Sequence, residues 1–113
     1  MRVPNGDRAE LGSKLEGYSL NSAHRQGQHK ARVFESALGI TLANADVLRT
    51  ALRHAAANSE DAVYNGNNGY GDVYELRFSL TTTKATATVL SVWIIRTIRT
   101  GEDFPRLITC FIL

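Results

Sequence analysis

At 113 residues, 43% apolar and 21% charged, the chain has the size and balance of one modest globular domain rather than of two, or of a disordered segment. A net charge of +2 excludes a bulk neutraliser of nucleic acid and leaves room for one local anion site. The single cysteine, Cys110, excludes an internal disulfide.

Val3-Pro4-Asn5-Gly6 is turn chemistry after a short extended start. Leu11, Leu15, Tyr18 and Leu20 recur at near-helical spacing and predict a short helix over 11–19, followed by a polar loop from Asn21 to Gly27. A second helix is predicted from Gln28 to Leu38: Ala31, Phe34, Ala37 and Leu38 share one stripe, and Gly39 supplies a left-handed stop. Thr41 can cap a third helix with Leu48, Ala51, Leu52 and Ala55 on its buried face and its end at Asn58. The Asn- and Gly-rich stretch from Ser59 to Gly71 reads as a loop.

The period then changes to two. Tyr74, Leu76, Phe78 and Leu80 alternate with Glu75, Arg77 and Ser79, the pattern of a half-buried strand. Thr81 to Lys84 turns the chain into a long β-branched strand, Thr86 to Arg96. The connection Thr100 to Pro105 leads to a last strand, Arg106 to Leu113. Helices first and antiparallel strands second predict a single α+β domain over 1–113, with the helices on one face of a small sheet. No apolar stretch is long enough to span a bilayer and no signal peptide opens the chain, so a cytoplasmic protein with no membrane partner is expected.

Charge is unevenly spread. Between Glu16 and Glu35 the charges are Arg25, Lys30 and Arg32, beside His24 and His29; between Glu75 and Glu102 they are Arg77, Lys84, Arg96 and Arg99. If the two stretches meet in the fold, the field between them favours an anion. Cleaving RNA without a metal requires a base at the 2′-hydroxyl, an acid at the leaving oxygen and cations for the phosphorane charge. His29 suits the proton transfers, because imidazole has both protonation states available near neutrality. Arg106 suits a bidentate clamp on the scissile phosphate, with Arg96 beside it, while Lys30 and Arg32 suit a flanking phosphate. His24 and Trp93 are the remaining candidates for binding substrate, Trp93 by stacking a base. Thr109 is three residues from Arg106 and points to the opposite face unless the strand is bulged or twisted. The histidine spacing and the lone Cys110 suggest no metal site, and no cofactor is expected.

The ordered motifs Leu15-x-x-Tyr18-x-Leu20, Gly27-x-His29-Lys30-Ala31-Arg32-Val33-Phe34-x-Ser36-Ala37-Leu38-Gly39-Ile40-Thr41, Trp93-Ile94-Ile95-Arg96 and Gly101-Glu102-Asp103-Phe104-Pro105-Arg106-Leu107-x-Thr109-Cys110 resemble a family of small bacterial proteins of unknown function. The resemblance runs over nearly the whole chain and implies a toxin and immunity context, with a small immunity or antitoxin protein as partner. More loosely, the arrangement is similar at the level of fold to metal-independent ribonucleases of the barnase–EndoU–colicin–RelE type. Two departures stand out. The family usually has Pro directly after its first histidine, where this chain has His24-Arg25, and Ile95-Arg96-Thr97 is followed by a near copy, Ile98-Arg99-Thr100. The duplication leaves open whether Arg96 or Arg99 takes the family's position. Two functional readings follow: a toxin-like domain that binds or cuts RNA, and a non-catalytic interaction module, a partner of such a pair or a homodimer through the apolar last strand.

Overall fold

The computed structural model describes residues 1–97 and 101–113, so Arg99 lies outside the described residues. Two helices, α1 (Gln28–Leu38) and α2 (Ala45–Asn58), precede four strands, β1 (Val63–Asn67), β2 (Gly71–Thr81), β3 (Thr86–Arg96) and β4 (Arg106–Ile112). The strands form one antiparallel sheet in the order β1-β2-β3-β4, the α+β arrangement that the periodicity predicts. The apolar stripes of both helices and the inward faces of the strands enclose a common core in which Phe34, Leu38, Leu48, Leu52, Leu76, Val89 and Trp93 are essentially without solvent contact.

The helices end where the sequence predicts. Gly39 takes φ 69°, a left-handed stop, and its N–H reaches back to the Glu35 carbonyl. The β2–β3 turn then closes the end of α1: Thr82 Oγ1 donates to the Leu38 carbonyl at 2.8 Å and Lys84 Nζ to the Glu35 carbonyl at 3.3 Å. These bonds satisfy carbonyls that a helix C-terminus leaves open, and they fix α1 against the sheet. Thr41 caps as expected, although its Oγ1 accepts from Ala43 N in a short 3₁₀ turn, Leu42–Asn44, that runs into α2.

Two predictions are corrected. The helix expected over 11–19 is a single π-turn, Leu15–Ser19, entered after Gly12 at φ 58°. Leu11, Leu15 and Leu20 are nevertheless all buried, and the five-residue step from Leu15 to Leu20 is closed by a bond from Leu20 N to the Leu15 carbonyl at 2.8 Å. Within the stretch expected to be a loop, Val63–Asn67 forms β1 on the outer edge of β2, pairing Val63 with Glu75 and Tyr64 with Tyr74.

The N-terminal segment locks the start of β4. Glu10 N donates to the Pro105 carbonyl and Leu107 N donates to the Glu10 carbonyl, both at 2.9 Å. Asn5 Nδ2 holds the Asp103 carbonyl at 2.7 Å, and Arg8 pairs with the Asp103 carboxylate at 3.0 Å. The Arg8 hydrogen bond keeps the Asp103 carboxyl below its ordinary value, but both groups are exposed, so the pair orients the loop more than it stabilises it.

Candidate functional site at the seam between the first helix and the last strand

β4 is bulged. Trp93 of β3 lies opposite Leu107 and Val92 lies opposite Thr109, which leaves Ile108 as the extra residue. Arg106 therefore faces Ile94, Thr109 faces Val92 and Phe111 faces Leu90, all alternate residues of a regular β3. Residues two apart on a strand share a face, so Arg106, Thr109 and Phe111 are on the same side of the sheet. Leu107 and Cys110, opposite Trp93 and Ser91, turn into the core and are buried. The bulge removes the conflict between Arg106 and Thr109 that a flat strand imposes.

α1 meets this face through Lys30. Its Nζ donates to Thr109 Oγ1 at 2.8 Å and lies 3.4 Å from the Tyr18 hydroxyl. The same ammonium sits 4.6 Å from the centre of the Tyr18 ring and 5.4 Å from that of Phe111. Gly27 makes this approach feasible: a Cβ there would overlap the Tyr18 carbonyl, so only glycine lets α1 begin against the π-turn. His24 completes the seam. Its Nδ1 accepts from Gln26 N at 3.1 Å and Gly27 N at 3.0 Å, holding the turn before α1, and its ring meets Tyr18 edge-on at 4.8 Å. With Nδ1 occupied as an acceptor, Nε2 is the nitrogen left for other partners.

His29 is exposed beside Lys30 and, with Val33, Phe111 and Ile112, lines a groove of about 250 Å³. Arg32, one turn further along α1, is also exposed and has no ion pair among the described residues. Behind the seam, Cys110 Sγ donates to buried Ser19 Oγ at 3.7 Å, and burial pushes its thiol up to about 11, against the smaller opposing pulls of Ser19 and Lys30.

A second cluster sits at the start of β4. Arg96 Nη2 donates to Glu102 Oε1 at 3.2 Å, and Arg106 Nη2 donates to the same oxygen at 3.3 Å. Arg96 Nε lies 2.8 Å from Oε2 but is not aligned for a hydrogen bond, so that contact is ionic. The Glu102 side chain is only 19% exposed, against 27% for Arg96 and 38% for Arg106. Arg106 also lies 4.8 Å above the Phe104 ring, while its Nε is buried without a hydrogen-bond partner. Glu102 is the member of this cluster that sequence reasoning undervalued: it holds two guanidinium groups at once. Its signal was its position in Gly101-Glu102-Asp103-Phe104-Pro105-Arg106, four residues before Arg106.

The structure brings Lys30, His29 and the β4 face together and joins Arg96 to Arg106, but it does not unite the two groups. Phe111, beside His29, is five residues along β4 from Arg106, a separation of roughly 15 Å at the usual strand rise. Trp93 is corrected outright as a stacking residue: it is fully buried, and its Nε1 donates to Ser91 Oγ at 2.9 Å, so it offers no face to a base. Among the described residues, no three His, Cys, Asp or Glu side chains gather as a metal site requires, and no helix is long and apolar enough to cross a membrane.

Fold and seam together define a small α+β domain with a cationic face built where its first helix crosses its last strand. Residues 2–113 match the model of a domain of unknown function, DUF6883, and the chain belongs to that family. No curated protein matches it in sequence. Its fold is similar to one chain of a contact-dependent growth inhibition toxin–immunity protein complex from Klebsiella pneumoniae 342, with a TM-score of 0.67 and 12% identity over 93% of this chain and 98% of that one. At that identity the likeness is one of fold.

Proposed function

We propose that the chain is a toxin-like domain that binds RNA and cuts it without a metal ion, acting at the seam of α1 and β4. The observation that carries this reading is the bulge at Ile108, which puts Arg106 and Thr109 on one face while Lys30 reaches Thr109 from the helix. The fold shared with a chain of a toxin–immunity complex supports the context.

The roles are best assigned in the reverse of the order that the sequence suggests. His29 neighbours Lys30 and stands apart from Arg106, so the scissile phosphate belongs on Lys30 and Thr109 and the flanking phosphate on Arg106 and Arg96. In that pose the RNA 2′-oxygen attacks the adjacent phosphorus and the bond to the 5′-oxygen breaks, leaving a 2′,3′-cyclic phosphate and a 5′-hydroxyl. One imidazole accepts the 2′-hydroxyl proton and an acid returns a proton to the 5′-oxygen. His29 and the free Nε2 of His24 are the groups available for these transfers, and Lys30 offsets the charge on the phosphorane. Arg32 lies on the exposed side of α1, where it can meet the RNA beyond the cut.

Purified protein incubated with total RNA in a chelator tests this. Wild type should yield cyclic-phosphate ends, and His29→Ala or Lys30→Gln should slow cleavage by about 100-fold or more. Equal digestion by all three proteins, or none by wild type, overturns the catalytic reading. The second reading, an interaction module that pairs through β4, is favoured by one observation: past the Glu10–Arg106 bridge, the outer edge of β4 makes no further bridge among the described residues. Light scattering on the isolated protein separates the two, since a stable dimer lost on Thr109→Pro supports pairing at that edge.

A further inference from the structure

We infer that Phe111 is the platform of a nucleobase subsite, stacking the base next to the phosphate held by Lys30 and Thr109. The inference rests on the RNA reading above and adds to it the class of group that fills the groove beside His29. Phe111 follows Thr109 on the same face of β4, opposite Leu90 as Thr109 is opposite Val92. Alternate strand residues are roughly 7 Å apart, so its ring is within reach of the nucleotide whose phosphate sits at Thr109.

The groove suits a flat ring carrying an anion. Val33 and Ile112 make its walls apolar, Phe111 provides an aromatic surface, His29 lines it with an imidazole, and Lys30 joins it to Thr109 through its ammonium. The 5.4 Å between Lys30 Nζ and the Phe111 ring leaves the ammonium close enough to hold a phosphate while a base lies against the ring. The neighbouring aromatics are already engaged. Tyr18 is covered by Lys30 and His24, Phe104 by the Arg106 guanidinium, and Trp93 is sealed in the core. Phe111 carries Lys30 alone among these contacts and is only half-buried, and Val33, which lines the same groove, is 43% exposed, so the two leave apolar surface open to a ligand.

The test uses a short 2′-O-methyl RNA, which the proposed chemistry cannot cut, and an abasic oligonucleotide with the same phosphates. Phe111→Leu, which keeps apolar bulk but removes the aromatic face, should weaken binding of the base-bearing strand about tenfold or more and leave abasic binding unchanged; Phe111→Trp should restore it. Equal loss on both oligonucleotides, or no loss on either, overturns the subsite while the RNA reading stands. Failure of wild type to bind either strand at low salt overturns the RNA reading itself. As a check that needs no variant, 2-aminopurine at the predicted position should be quenched by wild type, and unchanged emission in a bound complex would count against stacking.

Discussion

Single side chains in this protein divide into those that seal and those that meet solvent, and Cys110 shows how sharp the division is. Its thiol is buried and unable to ionise until about pH 11, against an ordinary 9.0. In the unfolded chain the thiol loses its proton near 9, so between the two values the unfolded state binds fewer protons than the folded one and stability falls as pH rises. The window to examine is pH 9 to 10, below the ionisation of Tyr74, whose own value burial raises above 10.0. Across it the thiol should cost about 1 kcal/mol, with no effect below pH 8. Urea unfolding at several pH values should show this decline in wild type and a flatter profile in Cys110→Ala. A profile of equal slope in both would mean the thiol is more accessible than its surroundings imply. The same sealing explains Trp93. Its Nε1 donates to Ser91 Oγ and Ser91 donates to the Leu76 carbonyl at 2.9 Å, a closed chain of buried bonds with no place for a ligand.

Elements were legible where their own periodicity decided them and illegible where a neighbour did. α1 and β3 fall on the residues that the pattern gives, because a single apolar stripe and a β-branched run each dictate one geometry. β1 was missed since Asn65, Gly66 and Asn67 carry no alternation; it is a strand because β2 offers an edge, with Gly66 at φ 89° absorbing the shift in pairing. The π-turn was misread for a different reason: its leucines are core residues, as their spacing implies, but Gly12 breaks the helix that the spacing alone would build. The candidate site was half legible. Residue type pointed to Lys30, His29 and Arg106, whereas the grouping of Lys30 with Thr109 on the face that also carries Arg106 depends on a bulge that no local pattern announces. That grouping also depends on how closely α1 starts against Tyr18, which makes Gly27 the hinge of the seam. Gly27→Ala should push the first turn away from the Tyr18 carbonyl, cost roughly 1–3 kcal/mol of overpacking and lower the melting temperature by roughly 5–15 °C. Gly17→Ala, where the nearest atom to a new Cβ is Ser13 Oγ at 3.9 Å, is the control and should melt close to wild type. Equal melting of the two variants would show that α1 has slack at its start.

At the scale of the molecule, a net charge of +2 is too small to attract RNA by bulk field, so the proposed RNA binding would have to rest on where the cations stand. Lys30, Arg96 and Arg106 face one side of the sheet end to end, but Glu102 neutralises part of that row from within. On the proposed reading, an RNA phosphate at Arg96 and Arg106 would compete with a carboxylate already in place. The two kinds of substitution should therefore move RNA binding in opposite directions. Lys30→Gln removes one phosphate contact, which should weaken binding and reduce the dependence of log affinity on log salt by about 0.7, the increment for one contact on a single strand. Glu102→Gln removes the internal competitor, which should strengthen binding several-fold at low salt while lowering the melting temperature, because two partly buried guanidinium groups lose their counter-charge. Titrations of a labelled single-stranded RNA at several salt concentrations, with melting curves on the same samples, measure both effects. If Glu102→Gln lowers affinity together with stability, the carboxylate is orienting the arginines for RNA rather than occupying its place.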